Sequence, residues 1–145
     1  MININRIRRS DLPELAVLFS ELTGNERSRV NLEKNYVHVE QNDDYIILGA
    51  SVDGKLAGSL MGIICLDFVD ECRPFMLIEN VIVSEKFRGQ GIGRLLMKNI
   101  EDLAIERDCS YIIFVSGSKR EGAHRFYESI GYDPGEAKGF KKILK

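Results

Sequence analysis

Val81-Ile82-Val83-Ser84-Glu85-Lys86-Phe87-Arg88-Gly89-Gln90-Gly91-Ile92-Gly93-Arg94-Leu95-Leu96 decides the reading of this chain. It opens as an apolar strand, turns through three glycines and closes as the first turns of a helix. No Ser, Thr, Asp or Asn stands where the helix begins, so its first free N–H groups lack a side-chain cap. A helix start stripped to glycine suits a ligand that caps it instead. The backbone amides and the positive end of the helix dipole favour an anion, most naturally a phosphate. The dinucleotide fingerprint G-x-G-x-x-G fails because position 94 is Arg, and the P-loop pattern G-x-x-x-x-G-K-[S/T] is absent. What remains is R-x-x-G-x-G, carried by Arg88, Gly91 and Gly93 behind a V-x-V strand.

The composition sets limits around that stretch. A chain of 145 residues is one domain, 1–145, by the usual size prior. The net charge of −2 gives no global basic field for nucleic acid or an anionic membrane. No apolar run is long enough to span a bilayer, and Met1 to Arg9 lacks the apolar core of a signal peptide. Cys65, Cys72 and Cys109 are odd in number and form no C-x-x-C, which reads as reduced thiols in the cytoplasm. His38 and His124 are isolated, so no metal site is expected.

Periodicity then gives the elements in order. Ile2 and Ile4 alternate with Asn3 and Asn5 as a first strand. Asp11 and Glu14 are spaced as a capping box, with Pro13 in the first turn of a helix that stops at Thr23-Gly24-Asn25. A weaker helix covers Arg29 to Glu40. Tyr45 to Val52 and Lys55 to Leu66 form a hairpin on the two-residue turn Asp53-Gly54. Gly58 and Gly62 in the returning strand mark a bend or a close approach. Phe75 to Val83 is near-continuously apolar, which predicts a strand buried on both faces. A helix from Gly91 to Arg107 and a short buried strand from Tyr111 to Val115 complete a right-handed parallel crossover. Ser118 and Glu121 make a second capping box for a helix ended by Gly131, and Gly139 to Leu144 is a last strand. The order is βααβββαβαβ, an α/β chain with a mixed sheet and helices on both faces.

A second motif follows at Ala123-His124-Arg125-Phe126-Tyr127-Glu128-Ser129-Ile130-Gly131-Tyr132. With the glycine loop, it resembles the GCN5-related N-acetyltransferase (GNAT) family, whose pattern there is A-x-x-F-Y-x-x-x-G-[F/Y]. The resemblance covers essentially the whole chain and is clearest from Ile78 to Tyr132. It implies the GNAT acyl-CoA N-acyltransferase fold, a mixed, mostly antiparallel sheet with one splayed parallel pair. It also implies an enzyme that moves the acetyl group of acetyl-CoA directly to the primary amine of a small molecule, without a metal. Arg88, Gly89, Gln90, Gly91, Ile92, Gly93 and Arg94 would then hold the pyrophosphate. Backbone groups of Val81, Ile82 and Val83 would hold the pantetheine arm and the thioester oxygen. The first helix pair would shape the acceptor pocket.

Tyr127 is either a core residue on an apolar stripe or, as its place in the motif favours, the general acid beside the CoA sulfur. Glu79, a lone carboxylate beside Asn80 in an apolar strand, is either a structural hydrogen-bond acceptor or a general base whose pKa burial raises. Relatives often carry Asn seven residues before the Tyr, whereas this chain has Arg120, either a CoA contact or a solvated first-turn residue. Two rival functions stay open, a protein or peptide N-acetyltransferase and a non-catalytic acyl-CoA-binding module. The expected partners are acetyl-CoA and an amine, with neither nucleic acid nor membrane. Homodimers are common in that family, but the residues themselves set no oligomeric state.

Overall fold

The structure, a computed structural model, describes residues 1–25 and 29–145. Its contacts divide the chain into two compact units, Met1–Ile113 and Phe114–Lys145.

The first unit is a five-stranded sheet ordered β1-β2-β3-β4-β5, with β1 at Ile2–Arg6, β2 at Tyr45–Val52, β3 at Lys55–Cys65, β4 at Phe75–Val83 and β5 at Ile112–Ile113. All neighbours run antiparallel except β4 and β5, which pair in parallel through Met76↔Ile112 and Leu77↔Ile113. The β2–β3 turn takes positive φ at both central residues, Asp53 at 50° and Gly54 at 82°, as a two-residue hairpin of this sequence requires.

Helices α1 (Leu12–Thr23) and α2 (Arg29–Glu40) lie on one face of the sheet, and α3 (Ile92–Glu106) lies on the other. The α3 face carries a core of fully buried Leu60, Met76, Ile78, Leu96 and Ile100. It packs so closely that a Cβ at Gly62 would stand 2.8 Å from Ile100 Cδ1, and one at Gly58 would stand 2.9 Å from the Ile82 carbonyl oxygen. Both glycines are therefore close approaches. On the opposite face Leu12, Leu15 and Leu18 of α1 cluster with Ile7 and Ile82.

Ile82 reaches that cluster because β4 is bulged. Ser59 pairs with Ile82 but Met61 pairs with Glu79, so Leu60 alone faces both Asn80 and Val81. Asn80 absorbs the extra residue at φ 59°, a left-handed conformation that Asn tolerates better than most side chains.

The second unit holds α4 (Glu121–Ser129) and an aromatic cluster. The Phe114 ring lies 4.6 Å from Tyr127 and 4.9 Å from Tyr132 by centroids, both edge-on. Gly131, at φ 103°, closes α4 in a Schellman motif: its N–H donates to the Glu128 carbonyl and the Tyr132 N–H to the Tyr127 carbonyl.

Several expectations are corrected. Asp11 and Glu14 do not form a capping box. A 3-10 turn at Arg9–Asp11 leaves Asp11 helical, so its carboxylate accepts from the Arg8 N–H at 2.8 Å, while Glu14 accepts from the Leu56 N–H at 2.8 Å. Nor does Ser118 cap α4. The Gly117 carbonyl takes the Arg120 N–H, so the helix starts late with Arg120 at its N-cap. Strand β4 is not buried throughout: Met76, Ile78 and Ile82 are buried, while Leu77, Glu79 and Val81 are half-buried and Asn80 is exposed. The strand expected from Tyr111 to Val115 shrinks to two residues at a sheet edge, with Tyr111 and Ile113 exposed. Gly139 to Leu144 forms no strand. Phe140, Ile143 and Leu144 are all exposed, because alternation supplies a face but not a partner to pair with.

Candidate functional site

Strand β4, a 3-10 turn at Glu85–Phe87 and the head of α3 form one continuous ledge in the first unit. Gly89 and Gly91 both sit at φ 80°, and Gly91 is the N-cap of α3 with no side-chain cap. A residue with a Cβ would be strained in that conformation. The first helical bond runs from the Leu95 N–H to the Gly91 carbonyl, so the N–H groups of Ile92, Gly93 and Arg94 lie ahead of it at the positive end of a 15-residue helix. Ile92 is buried, which anchors this end, whereas Gly89, Gln90, Gly91 and Arg94 are exposed to a ligand. Arg88 folds back, its Nε donating to the Val83 carbonyl at 3.2 Å. Val81 and Val83 are half-buried and flank the buried Ile82.

The turn before the glycines is tied to α1. The Glu21 carboxylate accepts from the Ser84 hydroxyl at 2.9 Å and from the Glu85 N–H at 3.0 Å. The Glu85 N–H is the main reason its pKa falls below the ordinary value, helped by the Ser84 hydroxyl and by Arg88 and Lys86 and opposed by burial.

On the α1 and α2 face, a pocket of about 560 Å³ opens beside the bulge. Its floor and walls are Leu15 and Phe19 of α1, Leu32 and Val39 of α2, Ile47 of β2 and Met61 of β3. Asn80, Asn35, His38 and Asn42 supply its polar groups, with Tyr36 and Tyr45 completing the wall. The Tyr36 hydroxyl donates to the Ile7 carbonyl at 3.2 Å. Glu79 pairs directly across from Met61 and so shares the pocket's face. It is half-buried, less than the buried carboxylate read from the sequence, and no hydrogen bond or ion pair among the described residues engages its side chain.

In the second unit Arg120 stands exposed at the N-cap of α4, and Tyr127 lies seven residues on with 7% of its surface exposed. Burial raises the Tyr127 pKa above the ordinary phenol value, and Arg120 pulls weakly the other way. The hydroxyl is thus held protonated at neutral pH.

The structure brings Glu79, Val81, Ile82, Val83 and Arg88 to Arg94 together on the ledge, and Arg120 and Tyr127 together on α4. Reading the sequence missed Glu21, because nothing local marks a partner 63 residues away. It also missed the pocket floor, whose residues look like ordinary core. The bulge did leave a trace, Asn80 in an apolar strand. Among the described residues no group of three or more His, Cys, Asp or Glu could hold a metal, and no helix is long and apolar enough to cross a membrane.

Comparison with known proteins gives a match to the profile of the Acetyltransferase (GNAT) family over residues 8–132. A probable glucosamine 6-phosphate N-acetyltransferase of Drosophila melanogaster is 26% identical over 119 residues, 79% of this chain and 52% of that protein. The chain spans about a quarter to a half of the length of the curated relatives it matches. Among solved structures, glucosamine-6-phosphate N-acetyltransferase from Arabidopsis thaliana superposes at a TM-score of 0.88 with 21% identity, covering 100% of this chain and 99% of that one. An aminoglycoside N-acetyltransferase in complex with CoA superposes at 0.84 with 17% identity, covering 100% and 96%. Both structural likenesses show a shared fold.

Proposed function

Because this chain belongs to the GNAT family of acetyltransferases, as the match over residues 8–132 shows, we propose that it is an N-acetyltransferase acting in the cytoplasm on the primary amine of a small molecule. The observation that carries this reading is the left-handed, uncapped Gly91 at the head of α3, one short turn after a bulged strand. Acetyl-CoA fits that place: its pyrophosphate would take the amides from Gly89 to Arg94, and it would supply the activated acetyl thioester. The names of relatives that acetylate glucosamine 6-phosphate, and of a neighbour solved with CoA, support the same class of reaction.

Each residue then has a role. The bulge leaves an extra residue of β4 outside the ladder, so main-chain groups around Val81 to Val83 can hold the pantetheine arm and polarise the acyl oxygen. Glu79, half-buried and on the pocket's face, accepts the proton lost by the amine, directly or through a water. Tyr127, whose raised pKa keeps its proton, donates that proton to the departing sulfur. Arg120 lends positive charge beside CoA. No protein nucleophile is needed, since nitrogen–carbon bond formation and carbon–sulfur bond cleavage follow from direct attack.

The test is thiol release from acetyl-CoA across amines, amino sugars, polyamines, aminophosphonates and basic peptides, with wild type and Tyr127→Phe in parallel. Turnover on a small amine, lowered about 10²–10⁴-fold in the variant with CoA affinity retained, is the expected result. Binding of CoA with no acceptor turned over makes this chain a binding module instead. Failure to bind CoA removes the reading of the glycine loop.

A further inference from the structure

We propose that the acceptor is a primary amine carried on an uncharged hydrocarbon body, either a short alkyl chain or a single aromatic ring. This inference rests on the acetyltransferase reading and names the substrate class of that same site. Its ground is the pocket between α1, α2 and the bulged edge of β4. At about 560 Å³ it has the size of a small-molecule site. Its interior is built from Leu15, Phe19, Leu32, Val39, Ile47 and Met61, drawn from four different elements. Among the described residues, no Lys, Arg, Asp or Glu lines it.

Those two facts choose between acceptor chemistries. A phosphate or carboxylate inside this pocket would lose its water with no Lys or Arg among the described lining residues to replace it, and an unpaired buried charge is strongly disfavoured. A polyamine would carry a second ammonium among Leu15, Phe19 and Leu32, away from Glu79, with no other carboxylate among the described lining residues to receive it. A hydrocarbon body meets the opposite situation, because each methylene moved from water onto these side chains is favourable in proportion to its area. The pocket's polar side chains come from two places, the bulge of β4 and the α2 side. Asn80 reaches the pocket from the bulge, and its neighbour Glu79 lies on the same sheet face as Met61. Asn35, His38 and Asn42 sit on exposed positions of α2 and the turn after it, at the solvent side. An amine that enters nitrogen-first toward Asn80 and leaves its body among Leu15, Leu32 and Ile47 satisfies both ends.

A homologous series tests this directly. With acetyl-CoA saturating, kcat/KM is measured for ethylamine through hexylamine and for 2-phenylethylamine, with glucosamine 6-phosphate and aspartate as charged competitors. The expected result is a rise of about fourfold per added methylene until the body outgrows the pocket, with both charged amines far below hexylamine. Met61→Gln and Leu32→Gln, two polar replacements on different elements, should each flatten the rise. A flat series in wild type, a rise untouched by both variants, or a charged amine as the best acceptor overturns the proposal. Calorimetric binding of the same amines to the full chain separates it from the acetyltransferase reading. If nothing is acetylated, affinity that climbs with chain length still supports the pocket's chemistry, and affinity that does not climb refutes it.

Discussion

Gly58→Ala tests the closest packing around β4. A Cβ built on Gly58 would stand 2.9 Å from the Ile82 carbonyl oxygen and 3.3 Å from Ile92 Cγ2 and Leu96 Cδ1. Comfortable contact between carbon atoms begins near 3.5 Å, so all three neighbours must give way, by about 0.2 Å for the carbons. The carbonyl is main chain and cannot rotate aside. Forcing extra volume into such a site costs about 1–3 kcal/mol. Against that, the φ of Gly58 is not left-handed, so alanine gains about 0.4–1 kcal/mol by restricting the unfolded chain. The overpacking term wins, and the net loss is about 1–2 kcal/mol, a fall in Tm of about 3–6 °C for a chain of this size. Affinity for acetyl-CoA should fall too, because the displaced carbonyl belongs to the stretch proposed to hold the pantetheine arm. Urea unfolding and calorimetry measure the first effect, and CoA titration the second. Gly122→Ala in α4 is the control. Its Cβ would meet nothing nearer than Arg125 Nη2 at 3.8 Å, and alanine in a helix is better than glycine by about 0.5–1 kcal/mol. A Gly58→Ala protein as stable as wild type would refute the close approach of β3, β4 and α3.

Three further outcomes are expected. Gly91→Ala should lose about 1–2 kcal/mol in urea unfolding, because φ 80° is strained for any side chain even though the space around it is open, and CoA binding should weaken with it. Glu21→Gln should cost about 0.5–1 kcal/mol at pH 7, the worth of two charge-assisted bonds at a solvent-screened site. Since the folded protein lowers the Glu21 pKa, that contribution is present above the ordinary carboxylate range and is lost as pH falls through the lowered value, so a gap between wild type and Glu21→Gln that survives in stronger acid would count against it. Tyr127 has the opposite sign. Its raised pKa contributes stability below the ordinary phenol value of about 10 that is lost as pH climbs through the folded value, so Tyr127→Phe should lose less stability than wild type over that alkaline span.

What the sequence disclosed, it disclosed where the chemistry is local. Asp53-Gly54 announces its own turn, Gly131 its helix end, and Gly91 its uncapped helix, since each depends on one residue's backbone freedom. The elements around them follow from periodicity, and Arg29–Glu40, Tyr45–Val52 and Phe75–Val83 fall where it places them. What stayed hidden depends on partners. Asp11 and Ser118 have the right spacing for caps, but a preceding turn and a competing N–H take the places they need. Gly139 to Leu144 alternates like a strand but finds no ladder. The pocket combines residues from positions 15 to 80, and its apolar members each read alone as core. Glu79 shows both sides at once: its oddness in an apolar strand is legible, whereas its half-exposure depends on the bulge beside it.

That bulge changes how the strand can vary over time. Before Asn80, the side chains of Met76 and Ile78 turn toward α3; after Val81, Ile82 turns toward α1. The extra residue acts like a frameshift in the alternation, and everything downstream is read in the new phase. Substitutions at Asn80 or Val81 leave that phase intact. A one-residue deletion there would restore strict alternation and send Ile82 and Val83 to each other's faces, withdrawing Ile82 from α1 and moving the main chain that leads into the glycine turn. In this part of the chain, length is therefore more tightly constrained than identity, so descendants of this sequence should differ there by replacement and not by insertion or loss.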